Sequence, residues 1–88
     1  MRAIEYRVTR GEKAVWLILV IVSGRMEKVL FTDSERKLVS LYEDLGVFEI
    51  DCRECFLENL FSDDDFLRLT EEYELDPLKA KLSELLTK

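Results

Sequence analysis

The N-terminal third of the chain alternates apolar and polar positions and then runs through nine apolar residues, AVWLILVIV, at positions 14–22. Residues 3–9 show the two-residue period of a half-buried strand. Gly11-Glu12 and Ser23-Gly24 are two-residue breaks of the kind that connect antiparallel strands in hairpins. The sequence therefore predicts three antiparallel strands, with the nine-residue run as the central one.

The remaining two thirds have helical spacing. A capping sequence at residues 32–35 precedes apolar residues at 38, 41, 42 and 45, and Gly46 marks the end of that helix. Residues 47–50 are compatible with a fourth strand, and further helices are predicted after Asp51, Ser62 and Asp76-Pro77. We therefore predict a single α+β domain over residues 1–88, with an N-terminal antiparallel three-stranded sheet, an optional fourth strand at 47–50, and three to four amphipathic helices.

Two-residue turns also predict which residues share a face of the sheet. They place on one face an apolar stripe with charged side chains at its margins, made of Trp16, Ile18, Val20, Val29 and Phe31. Either the helices divide between both faces of a monomer, or they cover the other face and a second copy covers this stripe. We favour a homodimer with these five residues as its interface, because an exposed apolar patch of this size is unusual in a monomer.

Composition and charge bear on the partner. The chain has 88 residues, 36% of them charged, a net charge of −6 and no histidine. Abundant charge with almost no asparagine or glutamine is typical of heat-adapted proteins. Residues 1–42 have a net charge of +3 and residues 43–88 a net charge of −9. Residues 43–76 contain thirteen acidic and two basic residues. This acidity argues against direct nucleic-acid binding, which needs cations against the phosphates.

The acidic half predicts a surface for a basic protein partner, made of Asp63, Asp64, Asp65, Glu71, Glu72 and Glu74. The alternative interpretation is that these acids are solvated helix faces that keep the protein in solution. The leading hypothesis is therefore a non-catalytic, small acidic homodimer that presents this surface to a basic protein and needs no cofactor.

Cys52 and Cys55 form the only candidate for chemistry, a C-x-x-C predicted to begin a helix. Four interpretations stay open: two small buried residues, a redox dithiol, a disulfide, or half of a zinc site completed by a second copy. The carboxylates of Asp51 and Glu54 would raise a thiolate pKa, which argues against redox activity. The alternative function is accordingly a structural zinc site or dithiol chemistry.

The apolar run at 14–22 also bears on localisation. A bilayer-spanning helix needs about 20 apolar residues, so this run predicts no membrane segment. Basic residues precede it and Ser23-Gly24 follows it, as in a signal peptide, but Glu5 and Glu12 interrupt the basic region. We expect a cytoplasmic protein.

Overall fold

The computed structural model describes residues 1–87 and has the predicted α+β fold class. Four strands form one mixed sheet in the order β3-β2-β1-β4, with β4 parallel to β1 and the other pairs antiparallel. The elements along the chain are β1 (Arg2–Arg10), β2 (Lys13–Val22), β3 (Arg25–Thr32), α1 (Glu35–Leu45), β4 (Glu49–Phe56), α2 (Leu57–Leu60), α3 (Asp64–Leu69) and α4 (Leu75–Thr87).

The β1–β2 hairpin has the register that a two-residue turn predicts. Tyr6 pairs with Leu17 and Val8 with Val15. Gly11 has a φ of 63°, in the left-handed region that glycine adopts without a steric penalty. The turn therefore fixes which apolar residues of the two strands share a face.

The β2–β3 hairpin differs from the prediction because it contains a β-bulge. Val20 pairs with Lys28 while Ile21 pairs with Met26, so Glu27 is an extra residue in β3. Beyond the bulge, each β3 side chain points to the face opposite to the predicted one. Val29 and Phe31 consequently lie on the face of Leu17 and Leu19, away from Trp16, Ile18 and Val20.

One face of the sheet is covered by α2, α3 and α4. The β1 and β2 residues of this face are buried against Leu60, Phe66 and the α4 leucines 78, 82 and 86. Phe66 packs edge-to-face against both Tyr6 and Phe61, with ring centroids 5.7 Å apart in each pair. This is the larger of the two apolar clusters.

The other face is covered by α1 alone. Leu38 packs against Ala3, Ile18 and Val20, with Trp16 and Leu30 half-buried at the margin. Ile18 is fully buried and Val20 is 2% exposed. The five residues predicted as one interface stripe therefore do not form a common exposed surface, because the bulge divides them between faces and α1 covers two of them.

The fourth strand is longer than predicted, and the helix predicted after Asp51 is reduced to α2, Leu57–Leu60, which begins six residues later. β4 continues to Phe56 and pairs with β1 in eight consecutive residue pairs. Pairing with β1 stabilises a strand where the local pattern favours a helix, because the ladder satisfies backbone groups along the whole segment. The chain reaches this position by crossing from the β3 edge of the sheet to the opposite edge through α1.

Candidate functional site

The two cysteines lie in the middle and near the end of β4, and their side chains point to opposite faces of the sheet. Cys52 pairs with Glu5 on the α1 face, and Cys55 pairs with Val8 on the face covered by α2, α3 and α4. Residues three apart in a strand are roughly 10 Å apart and alternate in direction. The two thiols of one chain are thus not placed to bind one ion or to form a disulfide with each other.

Both thiols lie where the thiolate is disfavoured. Partial burial raises the pKa of Cys52, and the Glu5 carboxylate raises it further by its charge and by a hydrogen bond. Burial raises the pKa of Cys55 as well, with a contribution from the negative charge of Asp63. A reactive dithiol needs the opposite, a positive surrounding that lowers the thiol pKa. Within residues 1–87, no three cysteine or carboxylate side chains are grouped as a metal site.

A buried polar pair lies beneath α1. Glu5 of β1 is only 9% exposed, and the Tyr42 hydroxyl donates a hydrogen bond of 2.7 Å to its Oε1. Burial and the Glu5 carboxylate raise the pKa of Tyr42 above its ordinary value. This bond joins α1 to the sheet and supplies a partner for a carboxylate that would be costly to bury alone.

On the opposite face, Arg53 of β4 is the centre of an ion-pair network. Its guanidinium donates to Asp51 and to Asp65, each at 2.9 Å, and to the Tyr6 hydroxyl at 3.2 Å. The Tyr6 hydroxyl in turn donates to Asp63 at 3.3 Å, and burial is the main reason that the pKa of Tyr6 is raised to about 12. The network holds the start of α3 against β4.

The six acids of the predicted partner surface lie at the two ends of α3. Asp63, Asp64 and Asp65 are at its start, and Glu71, Glu72 and Glu74 are in the connection to α4. The six-residue helix separates the two groups by about 9 Å. The structure therefore brings them to one region of the molecule, as two groups.

Three of these acids already have partners within the chain. Asp63 is the N-cap of α3 and accepts from the Phe66 amide at 2.9 Å. Asp65 pairs with Arg53 and with Arg68, and Glu72 pairs with Arg25 at 3.4 Å. Among the ion pairs of residues 1–87, none involves Asp64, Glu71 or Glu74, and all three are exposed.

A groove lies beside the acids of the α3–α4 connection. It has a volume of about 440 Å³ and opens between the β2–β3 turn and this connection. The Arg25–Glu72 pair joins its two walls, while Met26, Leu69 and Tyr73 supply apolar lining. The groove thus combines apolar contact area with two carboxylates, Glu71 and Glu72, and two guanidiniums, Arg25 and Arg68.

The outer edge of β4 is a surface that sequence reasoning missed. β4 is the last strand of the sheet, and the phenylalanine directly before it and the one that ends it are exposed, Phe48 by 89% and Phe56 by 58%. Ile50, on the same face as Phe56, is 40% exposed. The signal was the two-residue spacing of Phe48, Ile50 and Cys52, which the predicted helix start at Asp51 obscured.

In the part of the chain that the structure describes, no helix has the length and apolar character needed to cross a bilayer. No protein-family model, no curated protein and no solved structure matches the chain.

Proposed function

We propose that this protein is a non-catalytic binding protein that self-associates and presents an acidic surface to a basic protein partner. The acidic surface is made of Asp63, Asp64, Asp65, Glu71, Glu72 and Glu74. The observation that carries the proposal is the position of Glu71 and Glu74, which are exposed and outside any ion pair of residues 1–87. Glu71 also lines a groove whose surface is partly apolar.

Helix capping accounts for the acids at the start of α3 but not for those that follow it. Negative charge at a helix N-terminus stabilises the helix, as the Asp63 cap does. Glu71 follows the C-terminal end of α3, where the helix dipole disfavours a negative charge. A binding role is therefore a better explanation for Glu71 than a contribution to local stability.

Apolar residues among the acids supply the other half of a recognition surface. Leu67 is 39% exposed and Tyr73 is 43% exposed, and both flank Glu71 in sequence. Interfaces combine apolar or aromatic anchors with a charged rim, and the rim charges set the rate and specificity of association. A basic segment with aliphatic stems, rich in lysine or arginine, fits this combination because such stems pack on apolar surface while their heads pair with carboxylates.

The experiment is a titration of the protein with a fluorescent lysine-rich peptide at increasing salt. We expect saturable binding that weakens as salt rises, because exposed charge pairs are screened. The triple variant Asp64→Asn/Glu71→Gln/Glu74→Gln should lose most of the binding. The control variant Glu12→Gln/Glu27→Gln/Glu84→Gln removes the same charge from exposed positions elsewhere and should keep it. Equal loss in both variants, or binding that salt does not weaken, would contradict the proposal.

A further inference from the structure

The two edges of the sheet differ in how they are protected against pairing with another strand. The β3 edge has a β-bulge and exposed charges at Arg25, Glu27 and Lys28, which are devices that disfavour edge-to-edge pairing. The β4 edge also carries exposed charges, at Glu49, Asp51 and Glu54, but it has no register shift along its eight pairs with β1. It displays the exposed Ile50 and Phe56, and the exposed Phe48 directly precedes it. A regular, partly apolar edge with free backbone groups is a template for another strand.

We infer that β4 pairs antiparallel with β4 of a second copy about a two-fold axis at Cys52, which joins two sheets into one of eight strands. This inference rests on the self-association part of the proposed function and assigns it a surface and a register. We assign a second copy of this chain as the partner because, in an antiparallel pair of β4 strands, the charges of one strand complement those of the other.

Charge selects this register among its neighbours. With Cys52 opposite its twin, Asp51 of each copy lies opposite Arg53 of the other, so two ion pairs form across the axis. A register centred on Asp51 would place two carboxylates opposite each other, and one centred on Arg53 would do the same with two guanidiniums. Like charges directly opposite each other destabilise a strand pair, and opposite charges stabilise it.

The same register brings the exposed aromatic side chains together. Phe48 lies opposite Phe56 of the second copy at each end of the paired segment, and Ile50 lies opposite Glu54. Aromatic cross-strand pairs stabilise sheets, and here they remove the two most exposed phenylalanines from water. A parallel, in-register pairing would instead place every charge of β4 beside its twin.

Disulfide trapping tests the register. In a Cys55→Ala background, Cys52 of each copy lies about 5 Å from its twin between Cα atoms, within the range of a disulfide. Diamide, which accepts the two hydrogens of the paired thiols, should convert the protein into a covalent dimer. The matched variant Cys52→Ser/Cys55→Ala/Glu54→Cys has its thiols roughly 13 Å apart in this register and should stay monomeric on a denaturing gel. Adding Ile50→Cys to that variant should restore the covalent dimer.

Sedimentation velocity tests the association without a cross-link. The protein should sediment as a dimer that Cys52→Ser retains. Cys52→Lys, which places two ammonium groups at the axis, should weaken dimerisation by about tenfold or more. Because residue 52 is exposed, Cys52→Lys should stay folded, and its far-UV circular dichroism and urea midpoint check this.

The outcomes separate this inference from the acidic-surface proposal. The inferred pairing is overturned if the wild-type protein is a monomer. It is also overturned if the Glu54→Cys variant cross-links as well as the Cys55→Ala protein that keeps Cys52. Both outcomes are independent of the peptide titration. If the wild-type protein is a dimer but does not bind the peptide, only the proposal of the acidic surface is overturned. A covalent Cys52 dimer together with a dissociated Cys52→Lys variant supports the pairing.

Discussion

The two faces of the sheet differ in how many apolar side chains they bury. One face is covered by α2, α3 and α4, and the other by α1. The first holds twelve buried hydrophobic residues from five elements. The second holds four, together with the hydrogen-bonded Glu5–Tyr42 pair. One helix of eleven residues cannot cover a sheet of four strands, so the β4 side of the α1 face stays open.

This difference indicates which face contributes more to the stability of the fold and which face leaves apolar side chains exposed. Buried apolar area stabilises a domain in rough proportion to its size, so the larger cluster makes the larger contribution. The α1 face contributes less and leaves Ile50 and Phe56 exposed. The larger face thus makes the larger contribution to stability, and the α1 face leaves apolar side chains near the β4 edge exposed.

The largest expected effect compares a leucine from each cluster. Leu82 is fully buried in α4 and Leu38 in α1 is 8% exposed. Leu82→Ala should lower the free energy of unfolding by about 2–5 kcal/mol, and Leu38→Ala by no more than about 2 kcal/mol, since its shallower site collapses more readily. Urea denaturation followed by circular dichroism measures both. A larger loss for Leu38→Ala would reverse the comparison.

The next effect concerns the polar pair beneath α1. Tyr42→Phe removes the hydroxyl that donates to Glu5 and leaves a buried carboxylate without that donor. The variant should lose about 1–3 kcal/mol of stability. Tyr73→Phe, at an exposed tyrosine, should stay within about 0.5 kcal/mol of the wild-type protein. Equal urea midpoints for wild type and Tyr42→Phe would show that the pair does not stabilise the α1 face.

The smallest effect is a pH dependence on the larger face. Burial raises the pKa of Tyr6 from 10.0 to about 12, so the folded state keeps this proton when the unfolded chain has lost it. The resulting stability is complete below pH 10 and is lost as the pH rises towards 12. The difference in unfolding free energy between wild type and Tyr6→Phe should therefore shrink by about 1 kcal/mol from neutral pH to about pH 11. A difference that stays constant or grows contradicts this assignment.

Local signals were sufficient for the first hairpin and for α4. The two-residue turn at Gly11 gives the register of β1 and β2 because the turn geometry fixes the pairing. The helix predicted after Asp76-Pro77 is α4, and its Leu78 and Leu82 pack on the sheet. These features depend on residues close in sequence.

Two features depended on information that a local pattern lacks. The bulge at Glu27 interrupts the two-residue alternation of β3, and one extra residue is enough to exchange the faces of Val29 and Phe31. β4 forms because it pairs with β1. Its local sequence instead favours a helix, because it contains an aspartate of the kind that caps helices and apolar residues at helical spacing. Because the sequence does not predict the pairing of β4 with β1, it also does not predict where the acidic surface lies relative to the β4 edge.

The pairing of β1 with β4 has a consequence for the order of events during folding. Paired residues of these strands are 47 positions apart, whereas the two hairpins close over short loops. Closing the longer loop costs more chain entropy, so we expect this strand to dock last. Until β4 docks, β1 is the edge of the partly formed sheet, so its outward backbone groups stay open to pairing with another chain for as long as docking takes.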